Sequence, residues 1–274
     1  MEIRSLPNEQ SYRHLTTKEL RGAYVLENLF VEDAVSTAYL DADRAIVGGA
    51  MPVSKSLVLE ASKKEMAAEY FNERRETGIV NVGGDGIVKV DGQEFQMQTR
   101  DMLYVGRGAK RVEFAGGKNP VFYFVSFPAH TSYPTVHIPE KNADKTTLGS
   151  LETSNKRTLR KYIFHGGARS CQLVMGLTEL ETGSVWNTMP AHTHVRRMEV
   201  YLYYNLPDDG MVVHLMGPAS ETRNLLMRNR QAVVSPAWSI HCGAGTAKYS
   251  FVWAMGGENQ EFADMDAVAI KDML

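Results

Sequence analysis

Gly86-Ile87-Val88-Lys89-Val90-Asp91-Gly92-Gln93-Glu94-Phe95-Gln96-Met97 is the stretch on which the fold turns. Apolar and polar residues alternate on both sides of Asp91-Gly92, so each arm offers one apolar face. The Asp-Gly pair supplies the two positive-φ residues that a two-residue type I′ hairpin needs. Working outward, similar short runs recur: Asp101–Val105, Val121–Val125, Cys171–Met175, Val200–Tyr204, Gly210–Leu215 and Tyr249–Trp253. β-Branched and aromatic segments broken by turn residues at close spacing predict an all-β sandwich or barrel. Helix signals are few. Thr16 stands three residues before Glu19, a capping box for a short helix ending near Gly22, and Ser62-Lys63-Lys64-Glu65 predicts a second reaching towards Phe71.

The chain has 274 residues, enough for one large domain or two small ones. Lys plus Arg number 30 and Asp plus Glu 32, a net charge of −2 that gives no sequence-wide footprint for nucleic acid or an anionic membrane. At 43% hydrophobic residues the chain can fill a core and is no disordered protein. No apolar run approaches the roughly 20 residues of a membrane span, and Met1–Leu15 lacks the pattern of a signal peptide. The two cysteines, Cys171 and Cys242, lie far apart and read as free thiols in a reducing compartment. The expectation is a soluble cytoplasmic protein.

Pro139–Thr147 is polar and lacks apolar periodicity, so it reads as a linker between halves 1–140 and 141–274. Both halves are strand-rich, and they echo each other. Thr99–Gly108 resembles Asn229–Trp238, each a polar turn, a buried strand and a corner, 130 positions apart (99 to 229). Arg74-Arg75-Glu76 with Gly83–Gly86 is similarly echoed by Arg196–Glu199 with Pro207–Gly210, offset near 122 (74 to 196). Two echoes in one order predict two related β units.

Pro190-Ala191-His192-Thr193-His194-Val195-Arg196-Arg197-Met198-Glu199 carries the chemistry. Residues two apart on a strand point the same way, so His192 and His194 face one interior. Glu199 has the wrong parity for an unbroken strand; a turn or bulge at Val195-Arg196-Arg197 would return its carboxylate to that interior. His241 follows Pro236-Ala237-Trp238-Ser239-Ile240. Three imidazoles and a carboxylate suit a divalent ion such as zinc, manganese, iron or nickel. A lone His-x-His is more often two surface histidines; the added Glu and the later His favour the metal. His165, in Phe164-His165-Gly166-Gly167, reads either as a turn residue or as a pocket acid or base. His214 reads as a core or wall residue, and His14, His130 and His137 have no evident partner.

His192, His194 and Glu199, with Pro236 and His241, resemble the two motifs of the cupin superfamily, which supply three His and one Glu to a metal inside a β-barrel. Trp238 stands where that pattern has glycine, and Cys242 where it has asparagine after the histidine. Cys171–Leu180, Trp186–His194 and Arg196–Tyr201 together resemble the 5-keto 4-deoxyuronate isomerase (4-deoxy-L-threo-5-hexosulose-uronate ketol-isomerase) family, and the likeness spans the chain, Arg44–Gly49 included. The resemblance implies two tandem cupin-like barrels (a bicupin) with a few short helices, 1–140 without metal ligands for scaffold or oligomerisation and 141–274 binding metal. It implies one zinc per chain on His192, His194, Glu199 and His241, and a homohexamer. It also implies aldose–ketose isomerisation of 5-dehydro-4-deoxy-D-glucuronate to 3-deoxy-D-glycero-2,5-hexodiulosonate in pectin and uronate breakdown. The repeat agrees on the active half: Arg111 stands opposite His241, and Tyr70 and Asn72 opposite His192 and His194.

Such a reaction needs a polarised carbonyl and a proton moved between neighbouring carbons. The carrier is open among His165, a glutamate, Tyr201 or Tyr203, and metal-bound water, and a hydride shift would need none. The substrate carboxylate calls for a cation, with Arg160, Lys161 and Arg169 nearest in sequence and Tyr201 and Tyr203 as further binding candidates. Arg196-Arg197 reads as a solvated turn. Two rivals share the ligand set: an iron dioxygenase, and a non-catalytic sugar-acid binding cupin.

Overall fold

A computed structural model describes residues 1–258 and 260–274. The Asp91-Gly92 hairpin is present as expected, with φ of 49° and 88° at the two turn residues and Val90 paired to Gln93. The chain forms two compact units. The first comprises Met1–Arg4, Asn28–Ala143 and Tyr162–Val174; the second comprises Ser5–Glu27, Asp144–Lys161 and Met175–Leu274. Among the described residues, no helix is long and apolar enough to cross a membrane. Cys171 and Cys242 are free.

Each unit is all-β and sets a seven-stranded sheet against a four-stranded one, counted among the described residues. In the first unit the central strands of the large sheet are Ile46–Ala50, Phe122–Pro128 and Arg75–Asn81, and the small sheet is built on Val112–Ala115 and Gly86–Val90. In the second, Val174–Leu180, Ser250–Gly257 and Arg197–Tyr204 take the large-sheet places, with Ile240–Gly245 and Val212–Gly217 in the small sheet.

The predicted repeat is visible in the ladders. Arg75 pairs with Pro128 as Arg197 pairs with Gly257, and Thr77 pairs with Val105 as Glu199 pairs with Ser235. Both units also let an aromatic ring lie directly on a strand. A Cβ on Gly48 would stand 2.2 Å from Phe124 Cζ, and one on Gly176 would stand 2.2 Å from Trp253 Cζ2. Only glycine leaves room for that approach.

What fills the two interiors differs. Phe71, Phe114, Phe122 and Phe124 pack with Ile79, Val88 and Leu103 inside the first unit. Where the second unit has Glu199, the first has Thr77, whose Oγ accepts a hydrogen bond of 2.9 Å from Asn72 Nδ2, at the same five-residue spacing as His194 and Glu199. Among the described residues, the grouping of potential metal ligands falls in the second unit alone.

Several boundaries depart from expectation. The Thr16 capping box forms in both halves, but the helix runs Thr17–Tyr24, past Gly22, until the chain becomes extended at Val25. The second helix is a single turn, Lys63–Met66, stopped well short of Phe71 by the left-handed Ala67 (φ 51°). The polar stretch at 139–147 does hold a boundary between the units, at Ala143 and Asp144, but its second half is also an edge strand, Asp144–Leu148, paired with Arg157–Ile163, and its exposure accounts for its polarity. The run expected from Cys171 begins as a strand only at Val174. The backbone N–H groups of Cys171, Gln172 and Leu173 instead donate to the buried Glu76 carboxylate at 2.6, 2.9 and 2.9 Å, and Tyr104 Oη donates to it at 2.8 Å.

Candidate metal centre

His192 lies on the two-residue strand His192–Thr193, and the chain turns at Val195-Arg196 before the Arg197–Tyr204 strand begins. That turn corrects the parity, so Glu199 points at the same interior as the two histidines. His241 comes from the opposite sheet, on Ile240–Gly245.

The four side chains converge. His192 Nε2 stands 3.1 Å from His194 Nε2 and 3.0 Å from His241 Nε2, while Glu199 Oε2 stands 3.0 Å from His194 Nε2 and 2.8 Å from His241 Nε2. All four ligand atoms lie within 4.8 Å of one another. Atoms bound to one ion at about 2.0–2.2 Å stand roughly 3 Å apart when at right angles, so these spacings fit a shared cation.

The outer nitrogens set the tautomers. His194 Nδ1 lies 2.7 Å from the Asp264 carbonyl, which makes Nδ1 the donor and leaves a lone pair on Nε2. His241 Nδ1 faces the Ser239 carbonyl at 3.4 Å in the same sense. Two bare nitrogens and a carboxylate oxygen aimed at one point repel unless a cation lies between them. The residues fit a metal ion.

Burial, helped by His241, drives the His192 pKa down to about 2. Burial alone would raise Glu199, but His241 and His194 outweigh it and hold the carboxyl well below its ordinary range.

A cavity of about 200 Å³ opens above the cluster. Arg157, Thr178, Thr188 and Tyr201 give it polar groups, and Phe251, Trp253, Met255, Phe262 and Met265 give it an apolar wall. Tyr201 stands edge-on to His241 (5.3 Å between centroids), with its hydroxyl 3.0 Å from Thr188 Oγ.

The other sequence candidates lie elsewhere. Tyr203 hydrogen-bonds His214 Nδ1 at 2.8 Å, below the cavity lining. Arg160 is buried in an ion pair with Glu179. Lys161 pairs with Asp144 at 2.7 Å and covers the Phe262 ring. His165 and Arg169 are exposed on a turn and loop of the first unit, and neither lines the cavity.

Arg196 is exposed and paired with Asp264. Arg197 corrects the expectation of a solvated turn: it is buried and donates to the Glu261 and Asp264 carbonyls at 2.8 Å each. These contacts tie the 261–264 segment over the histidines. His137, without an evident partner in sequence, stands 3.2 Å from Asp101.

Arg157 was missed although a signal existed. On its strand Arg157, Leu159 and Lys161 share one face and Arg160 the other, so an inward Leu159 would have selected Arg157 over Arg160.

Residues 27–272 match the KduI/IolB family. The chain belongs to that family. A 4-deoxy-L-threo-5-hexosulose-uronate ketol-isomerase of Lachnoclostridium phytofermentans is 50% identical over 276 residues, all of both chains. Enzymes of the same name from Lachnospira eligens and Escherichia coli are 51% and 48% identical, again over all of both chains. Among solved structures, an IolB-like protein of Salmonella typhimurium superposes with a TM-score of 0.68 at 16% identity, covering 93% of this chain and 91% of that one. An oxalate decarboxylase of Lactobacillus farciminis gives 0.60 at 10% identity, covering 90% and 88%. These two structures share the chain's fold.

Proposed function

We propose that this chain is the isomerase that converts 4-deoxy-L-threo-5-hexosulose uronate from aldose to ketose, a step of uronate degradation. Identity near 50% across the full length of enzymes so named carries the reading. The cavity above three histidines and a glutamate supports it.

His192, His194, Glu199 and His241 would hold one divalent ion, and we assign zinc, whose ligand chemistry this donor set suits. Bound there, it would supply a Lewis acid for the carbonyl and the neighbouring hydroxyl. The Asp264 carbonyl fixes the His194 ring through Nδ1. Phe251, Trp253, Met255, Phe262 and Met265 would present an apolar wall to the reacting carbons. Of the groups weighed as proton carriers, Tyr201 is the side chain outside the ligand set that lines the cavity, where Thr188 holds its hydroxyl in place to hydrogen-bond a substrate hydroxyl. The first unit would serve as scaffold and contact surface of a homohexamer, in a cytoplasmic enzyme of pectin breakdown, as the sequence resemblance implies.

The test is anaerobic turnover of the ketoaldehyde by the purified protein, before and after chelation, with metal analysis and sedimentation of the same sample. The expected result is turnover that chelation abolishes and zinc restores. Turnover that requires oxygen and iron would identify a dioxygenase. Binding without turnover by the metal-loaded protein would identify a sugar-acid binding protein.

A further inference from the structure

We infer that Arg157 is the specificity residue that reads the substrate's carboxylate, assisted by the indole N–H of Trp253. This rests on the ketol-isomerase reading. A hexosulose uronate carries its aldehyde and its carboxylate at opposite ends, so a cavity that positions one end at the histidine cluster needs a second recognition element for the other.

Arg157 is the one arginine or lysine among the residues lining the cavity. It is half-buried, and within the chain its guanidinium donates from Nη1 to the Asn155 carbonyl at 2.8 Å. No carboxylate pairs with it among the described residues, and the neighbours that act on its charge are the phenols of Tyr201 and Tyr249. The nearby cations are different. Arg160, Lys161 and Arg196 each have an acid beside them: Glu179, Asp144 and Asp264.

Withdrawing a guanidinium from water without a counter-charge is costly, and the single bond to the Asn155 carbonyl offsets only part of that cost. A ligand carboxylate would supply the missing charge, with two parallel N–H···O bonds from the remaining guanidinium donors.

A second unpartnered donor belongs to a residue of the same wall. Trp253 lines the cavity, and its Nε1–H is buried without a hydrogen-bond partner. Buried indole N–H groups ordinarily have one. Tyr201 spans the two ends, its ring against His241 and its hydroxyl end within the field of Arg157. The arrangement would suit a substrate with a polar head at the cluster and an anion towards Arg157.

The experiment compares wild type, Arg157→Gln, Arg157→Lys and Trp253→Phe, each metal-loaded. The substrates are the uronate and its neutral carboxyl methyl ester. Arg157→Gln should raise KM for the uronate about 100-fold, with kcat changed only several-fold, and should erase the preference for acid over ester. Arg157→Lys should recover part of both, and Trp253→Phe should raise KM several-fold while metal content stays at one per chain.

Wild-type KM and wild-type acid preference in a folded Arg157→Gln enzyme would overturn the assignment. Should that variant fail to fold, equal wild-type turnover of acid and ester would overturn it as well. Failure of the parent reading looks different: wild type itself would not turn over the uronate.

Discussion

Replacing His214 by asparagine should flatten the loss of stability between pH 7 and pH 5. His214 has no exposed surface; Tyr203 Oη lies 2.8 Å from its Nδ1, and its Nε2 has no partner. Burial first, then the neighbouring His241, lowers its pKa from the ordinary 6.5 to about 3. Below pH 6.5 the unfolded chain therefore takes up a proton that the folded one refuses until about pH 3. The sign follows: this group leaves native stability intact above about pH 6.5 and drains it as the pH falls towards the folded value. The slope in that window is about 1.4 kcal/mol per pH unit, which integrates to about 2 kcal/mol between pH 7 and pH 5. Urea titrations across that range measure it, read by tryptophan fluorescence, since Trp186, Trp238 and Trp253 all lie in the second unit. Asparagine can still accept from Tyr203 but does not titrate. The difference between the two curves therefore reports the titration of His214. Parallel curves, with a gap constant to about 0.5 kcal/mol, would refute the reasoning.

Gly48→Ala and Gly176→Ala should each cost about 2–3 kcal/mol in urea titrations, because the new methyl meets Phe124 or Trp253 at 2.2 Å and, at Gly176, the Arg160 carbonyl at the same distance. Gly176→Ala should also raise KM, since Trp253 lines the cavity, whereas Gly48→Ala should leave kinetics unchanged. Glu76→Gln should destabilise the first unit by about 3 kcal/mol, because an amide nitrogen would face N–H donors that the carboxylate now satisfies; hydrogen exchange at Cys171–Leu173 would report it.

The hairpin Gly86–Met97 was legible because its turn and its largely alternating arms are local. So was the meeting of His192, His194, Glu199 and His241, because alternation on a strand and a turn before Glu199 aim them at one interior. Glu76 hid the true start of the Val174–Leu180 strand, since a carboxylate 95 positions from Cys171 decides where ladder pairing begins. Asp144–Leu148 looked like a linker because a strand exposed along its length has no apolar face to show. Arg157 escaped notice for the opposite reason. Proximity in sequence pointed to Arg160 and Lys161, but both are consumed by Glu179 and Asp144, partners that only the fold brings near.

The four candidate metal ligands do not stand on equal footing. Glu199 and His241 belong to strands of eight and six residues deep in the two sheets. His192 sits on a two-residue strand whose ladder partner is Asp266–Ala267, and His194 leans on the carbonyl of Asp264. One pair is anchored in the sheets, and the other is held by a short tie that a few broken hydrogen bonds would release. An ion held there would have two donors on long sheet strands and two on this short tie.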